Sequence, residues 1–417
     1  MNSGTPKILS FFLSPQETYR SPLFSPAEIF CGPDAQQRIA DGRVFSLKTP
    51  VGRYDAAELL DLIPQSQRPE LLIVKADATQ RNLPRNLRAF RCPKILLVGD
   101  THHFTAPLRT LIGYAQSEPF DYIVFDHTRH HAHWFARAGL RNLHWLPAVD
   151  FGFMAREPRS TRSRPLTFAG QVGRWHPWRS AVLPQVRKAG LPLEVIQGSL
   201  SDTADCYADS EVTLNVSLNG DLNLRVFEAL GAGGFLLTDE LSEASGMRML
   251  FEPGRHLDVW RGPGELIEKI RFFLGHPSEV TRIREEGRAE VLRSHHPDVK
   301  VRELLDLAFS GKSNPRYDLG LEATVSRSFA KALVDADAVP CLAVYERIQE
   351  IHRSSRSTTV YCSDAVRGQL DGALDLPRLF LRPLESVAPS VPTAPGASGA
   401  PDSEVLWIDE TLPAFPS

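Results

Sequence analysis

The sequence predicts an α/β protein made of two Rossmann-like, doubly wound domains. Three observations predict it. Short continuous apolar runs alternate with longer amphipathic stretches through the first 310 residues, as parallel strands covered by helices on both faces require. A polar break at residues 155–165, with two prolines and no apolar periodicity, divides that pattern into two halves. A fresh strand then opens at Leu166, and right-handed crossovers would complete each unit.

Near the N-terminus, Lys7 precedes the apolar run 8–13, which Ser14-Pro15 ends. That run is too short for a persuasive signal peptide. Residues 55–63 read as a helix, and 71–74, 95–98 and 122–125 as buried strands. Residues 140–149 read as the last strand of a first domain, 1–154, which runs into the linker 155–165. Beyond the break, strands are expected at 166–169, 193–196, 212–216 and 234–238, with helices at 178–189 and 224–232. In 264–274, Leu266, Ile267, Ile270, Phe273 and Leu274 recur at helical spacing, so one face should be buried. Helices at 279–294 and 298–309 would close a second domain, 166–312. Residues 313–385 form an accessory helical or α/β region with helix candidates at 317–334 and 341–353. Residues 386–417 read as a flexible tail, because 386–403 are rich in Pro, Ala, Ser and Gly.

Composition limits the function classes. With 417 residues, 42% apolar and 23% charged, the chain can bury more than one core, which excludes a wholly disordered protein. A net charge of −3 gives no global signature of a nucleic-acid or anionic-membrane binder. Lysine supplies nine of the 47 basic residues; the arginine excess suits phosphate recognition but runs along the whole chain, as genome composition would also produce. Five scattered cysteines without a CxxC pair support neither a disulfide framework nor a zinc-finger spacing. No run approaches the roughly 18 apolar residues of a membrane span. A cytoplasmic protein is expected.

Three segments carry chemistry. In the first, an apolar strand runs into the turn Asn219-Gly220-Asp221, and a short helix follows with Leu224, Arg225 and Glu228 before the glycines 231–234. Helix starts expose unpaired amides and a positive dipole end that suit a diphosphate. Asp221 or Asn223 would cap this helix, and Glu228 could accept hydrogen bonds from ribose hydroxyls. The same residues also describe an ordinary capped helix with a glycine C-cap. The second segment, Phe168 to Arg179 (FAGQVGRWHPWR), places Gly170 and Gly173 in a loop and Arg174 and Arg179 five residues apart. Guanidinium groups held there would stabilise the charge that builds on a departing diphosphate; a pair of surface arginines beside packing tryptophans is the alternative. Gln197-Gly198 end the next strand and could offer backbone groups to a base. The third segment, Leu96 to Pro107 (LLVGDTHHFTAP), puts Asp100, His102 and His103 after the carboxyl end of a strand, where open α/β sheets place ligands. A histidine beside a carboxylate is a credible general base for a hydroxyl. Phe125 to His133 (FDHTRHHAH) follows the next strand in the same way, so six histidines fall on two neighbouring loops. Acceptor contacts, structural hydrogen bonding and a metal site all remain open there, although the spacing matches no recognised ligand pattern.

The stretch Asn223 to Asp239 (NLRVFEALGAGGFLLTD) resembles the glutamate-bearing donor motif of retaining GT-B glycosyltransferases. It is more similar still to the spore-maturation-protein CgeB-like branch, as are Leu250 to Gly254, Glu265 to Pro277, Glu286 to Arg288 and His295-His296. The resemblance covers roughly residues 94–305. It implies two domains facing a cleft and transfer of a sugar from a nucleotide sugar, UDP-linked by frequency in the family, without a bound metal or other cofactor. It implies that Glu228 holds the ribose, that Arg174 and Arg179 neutralise the diphosphate, and that Asp100, His102 and His103 serve the acceptor. Many relatives carry a second acid where this chain has Gly220; Asp221 or Asn219 would then meet the transferred sugar. A sugar-nucleotide epimerase and a non-catalytic binding subunit that recruits a partner through 313–417 are the competing readings. The acceptor stays open among protein, glycan, lipid and small molecule.

Overall fold

The computed structural model describes residues 5–13, 24–101, 107–149, 156, 159–172, 177–217, 221–241 and 245–319, together with the backbone of three strands further on. The first half builds a largely parallel sheet from β1 (Lys7–Phe11), β2 (Ala27–Gly32), β3 (Arg38–Ala40) and β4 (Arg43–Lys48), then β6 (Leu71–Ala76), β8 (Lys94–Val98), β9 (Tyr122–Phe125) and β10 (Leu143–Trp145). Their order is β10-β9-β8-β6-β1-β2-β4-β3, with only β3 antiparallel to its neighbour β4. Two short strands, β5 (Gly52–Asp55) and β7 (Asn82–Arg85), pair separately. Helices α1 (Pro107–Ser117) and α2 (Ala132–Arg137) follow β8 and β9. The apolar run 8–13 that opens the sequence is the central strand β1, flanked by β2 and β6. Its side chains from Ile8 to Phe11 are all buried, which accounts for the apolar character of the run. The helix expected at 55–63 is a 3-10 helix over Ala56–Leu62, started by the Asp55 side chain accepting from the Ala57 amide.

The second half builds a five-stranded, all-parallel sheet: β11 (Arg164–Ala169), β12 (Leu193–Ile196), β13 (Ser210–Leu214), β14 (Leu236–Asp239) and β15 (Asp258–Trp260). The order is β12-β11-β13-β14-β15, so the chain moves outward on one side of β11 and then reverses. The carboxyl ends of β11 and β13 therefore flank a topological switch point, the position where such sheets take ligands. The described helices of this half are α3 (Pro177–Lys188), α4 (Leu200–Ala208), α5 (Leu224–Gly231), α6 (Met247–Leu250), α7 (Pro263–Gly275), α8 (Pro277–Ser294) and α9 (Pro297–Ser310). Prolines begin α7, α8 and α9, where a missing N–H costs nothing. Ser199 and Asp202 form a reciprocal capping box on α4.

The connection between the sheets is held against the second one. Arg156 bonds Asp205 and Ser201 of α4, and the Ser163 amide donates to Asp209 at 3.1 Å. After α9 the chain returns to the first domain, where the Tyr317 ring meets Trp145 edge-on at 5.8 Å and Arg129 Nε donates to the Asp318 carbonyl at 2.8 Å. Of the helix candidates 317–334 and 341–353, residues 317–319 are not helical and the rest lie outside the described residues. The tail expected to be flexible contains β18 (Glu404–Trp407). It pairs in parallel with β16 (Thr358–Cys362), whose other neighbour is β17 (Leu379–Pro383). The short apolar segment Val405-Leu-Trp407 escapes notice behind the Pro/Ser-rich residues before it. Cys31, Cys92 and Cys206 are free thiols. Among the described residues no helix is long and apolar enough to cross a membrane.

Candidate active site

The carboxyl edge of the second sheet gathers Gly170, Asn215, Asn223, Arg225 and Glu228. Asn215 follows β13 and is fully buried. Its amide donates to Thr238 Oγ1 at 2.9 Å, and its Oδ1 accepts from Arg225 Nη1 at 2.7 Å. The start of α5 is thereby fastened to the ends of β13 and β14. The Arg225 guanidinium lies over the Phe168 ring of β11, 5.2 Å from its centroid. Gly170, at φ +150, makes this possible, because a Cβ there would collide with that guanidinium. Asn223 is the N-cap residue of α5, yet its side chain makes no capping hydrogen bond and its Oδ1 has no partner among the described residues. Asn223 therefore does not cap the first amides of α5, a helix with no acid in its first turn. Glu228 stands one turn further on, half-buried; burial raises its pKa above the usual carboxylate range, against the pull of Arg225.

Arg179 is 6% exposed, and its Nε and Nη1 donate to the carbonyls of Val216 and Gln171 at 3.0 and 3.2 Å. It ties together the two loops that flank the switch point. Asp239 does similar work at β14, accepting from the Ser217 amide at 2.9 Å and from the Ser217 hydroxyl. Gln197 and Gly198 are exposed at the end of β12, beside the α4 cap. Asp221 is buried at the opening of α5, and Leu224 begins that helix. Gly173, Arg174 and Asn219 lie outside the described residues.

A second polar group lies at the carboxyl edge of the first sheet, beyond β6, β8 and β9. Asp126 is fully buried. It pairs with Lys75 Nζ at 2.7 Å and with His127 Nδ1 at 2.5 Å. Burial alone would lower the His127 pKa, but the Asp126 carboxylate outweighs it and carries the value to about 9; Asp221 of the second sheet adds to that field. Asp100, half-buried, follows Gly99, whose surface is covered by the Lys75 side chain. Burial raises the pKa of the neighbouring Asp77; Thr79 and Lys75 oppose the shift, and Asp100 adds to it. His131 is buried and shares a hydrogen bond of 2.5 Å with Thr101. His102 and His103 lie outside the described residues, as do the side chains of His130 and His133. Among the described residues, no three His, Cys, Asp or Glu side chains are grouped to hold a metal ion.

Sequence reasoning missed Lys75, Asp77, Asn215 and Asp239 as site residues, and quoted Asp126 and His127 without assigning them. For Asn215 and Asp239 a signal existed: each is a polar residue ending an apolar strand run. Lys75 carried none, since its partner Asp126 is 51 residues away in sequence.

Residues 154–306 match the glycosyl transferase-like family. No curated protein matches the chain by sequence. Solved structures similar to it include HepE from Anabaena in complex with UDP and glucose, at 12% identity and TM-score 0.48, covering 74% of this chain and 100% of that one. A glycosyltransferase from Rickettsia africae matches at 9% identity and TM-score 0.49, over 72% of this chain and 97% of that one. TarM of S. aureus matches at 12% identity and TM-score 0.46 over 61% of this chain, which spans 57% of TarM's length.

Proposed function

We propose that this chain is a metal-independent glycosyltransferase of GT-B architecture, in the CgeB-like branch. It would transfer a hexosyl or related unit from a UDP-linked donor to an acceptor nucleophile in the cytoplasm. One observation carries the reading: the glycosyl transferase-like match at 154–306 coincides with the second sheet, and that sheet's carboxyl edge holds the start of α5, which Asn223 does not cap, beside Arg225 and Glu228.

In this reading the diphosphate lies against the first turn of α5, facing Arg225, with Gly170, Gly173 and Arg174 on its other side. Arg179 acts by fixing the loops after β11 and β13. Glu228 accepts from the ribose hydroxyls, Gln197 and Gly198 border the base, and Asn219, Asp221 and Asn223 lie toward the phosphates and transferred sugar. The acceptor enters from the first sheet. Its oxygen forms the new bond to the anomeric carbon while the bond to the β-phosphate oxygen breaks, and the electron pair leaves on the diphosphate. The acceptor proton passes to the Asp100, His102, His103 group. Positive charge already in place at the α5 start stabilises the leaving group most as its charge develops.

Isothermal titration with UDP, GDP and ADP tests the donor site. UDP is expected to bind, and Glu228→Ala to weaken it by about 1.5–3 kcal/mol, the contribution of hydrogen bonds to a charged group. Absence of nucleotide binding, or an unchanged affinity in the variant, would overturn the assignment.

A further inference from the structure

We propose a second ligand site at the rear of the second sheet, where Arg162, Arg284 and Arg288 converge to bind a phosphate group. This site goes beyond the transferase reading and does not depend on it. A cavity of about 470 Å³ opens there, lined among others by Arg159, Arg162, Gly233, Arg284, Arg288 and Leu292. Arg284 and Arg288 are one turn apart on α8 and so share a face. Arg162 reaches the same space from the segment that joins the two sheets.

One donor on each of three arginines in this cavity is left unmet by the described residues. The Nε atoms of Arg162, Arg284 and Arg288 are each shut off from solvent and have no hydrogen-bond partner among the described residues. Arg284 is only 4% exposed. Its Nη2 donates to the Glu211 carbonyl at 3.1 Å and contacts the Glu211 carboxylate at 3.2 Å, which leaves Nε over. Arg288 donates to the Arg156 carbonyl at 3.0 Å and, like Arg162, pairs with no acid among the described residues. The Asp209 carboxylate is held by Arg159 at 3.1 Å. Among the described residues Glu285 is the one acid lining the cavity, against four arginines. Burial first, and then the proximity of Arg162, push the Arg284 pKa down to about 10. Buried donors left unmet are costly, and like charges held together add to that cost. An anion between them removes both.

The chemistry selects phosphate over a carboxylate. Three guanidinium groups arriving from two elements need three or more acceptor oxygens in different directions, which a tetrahedral phosphate offers and a planar carboxylate does not. The site is also separate from the nucleotide edge. Arg164 begins β11 and Glu211 lies at the start of β13, whereas Gly170 and Asn215 follow the ends of those strands. At about 3.3 Å per residue, strands of this length keep the two places on the order of 15–20 Å apart. Gly233, in the turn just after α5, lines the cavity, its Cβ position 3.5 Å from Arg288 Cδ. A phosphate bound there would touch the connecting segment, α8 and the end of the helix that carries Glu228.

Thermal unfolding of the full chain, titrated with inorganic phosphate at constant ionic strength against chloride, tests the site. A saturable rise in Tm is expected. Arg162→Ala/Arg288→Ala should raise the apparent Kd by about tenfold for each arginine lost. If that double variant does not fold by circular dichroism, Arg162→Gln, one change in the connecting segment, carries the same expectation of about tenfold. Arg225→Ala, at the opposite edge, should keep the response. No saturable rise beyond chloride, or a rise that survives loss of Arg162 and Arg288, overturns the proposal. So does a rise that disappears in Arg225→Ala. Tighter binding of glycerol phosphate than of inorganic phosphate would identify a phosphate monoester as the occupant, and the reverse order free phosphate; either supports the site. Failure of UDP to bind would overturn the transferase reading and leave the phosphate titration untouched.

Discussion

Asp126 holds two cations at once, Lys75 at 2.7 Å and His127 at 2.5 Å, with no exposure to water. Its neighbour His127 is carried to a pKa of about 9, above the ordinary value near 6.5. A histidine raised in the folded state contributes stability fully below about pH 6.5, and that contribution is lost as pH rises through about 9. Asp126→Asn should bring the His127 pKa below its ordinary value, because burial and Lys75 then outweigh the smaller pull of Asp221; proton NMR titration of the imidazole reads this directly. The same variant should lose about 3 kcal/mol at pH 6, the cost of stranding a buried charge. The histidine's share of that loss should vanish above about pH 9 in denaturant melts. Adjacency of Asp126 and His127 was legible in the sequence; the lysine was not. Lys75 meets Asp126 only because β6, β8 and β9 lie side by side.

At the scale of elements, α5 shows what periodicity conveys and what it leaves out. Its position, its Glu228 and its polar entry were legible as a strand, turn and helix. The cap was not, since Asp221 and Asn223 were both eligible and neither side chain's orientation is written in the order of residues. Asn223 takes the N-cap position without bonding the helix. Asn223→Asp should raise the Tm of the free protein slightly, a negative charge at a helix start contributing about 0.3–1 kcal/mol. It should also weaken UDP binding by about tenfold through repulsion of the diphosphate. Calorimetry and thermal unfolding on the same samples check both signs, and unchanged affinity would refute a diphosphate at this turn. The glycines that close α5 look in sequence like space left for a ligand. Gly233 instead takes φ +84, and a Cβ on Gly234 would lie 3.0 Å from the Tyr207 carbonyl and 3.1 Å from that of Ala229. Both serve the chain's own turn and packing, and Gly233 also borders the arginine-lined cavity rather than the nucleotide edge.

Across the whole molecule, the two sheets are joined twice, by the connecting segment and by the return of the chain after α9. Tyr317 is central to the second junction, 7% exposed and packed on Trp145. Tyr317→Ala should cost about 3 kcal/mol, as deletion of a large buried aromatic does, and denaturant melts followed by tryptophan fluorescence would show it. This contact was illegible because 317 reads as the start of a helix and its partner lies in the other domain. The alternation of strand and helix, by contrast, was legible through most of the two sheets, since fully buried parallel strands are continuous apolar runs. It failed in the first 60 residues, where β2 to β5 are short or half-exposed and break that pattern.

The central place of β1 has a consequence in time. On a ribosome β1 emerges before one of its two neighbours, β6, which begins only at Leu71, about 60 residues after β1 ends. At about 5–20 residues per second, one side of Ile8 to Phe11 waits several seconds for its partner. During that interval the growing chain presents a bare apolar edge, the kind that recruits other strands. The segment that anchors the finished domain is thus the one with most need of a chaperone while the domain is unfinished.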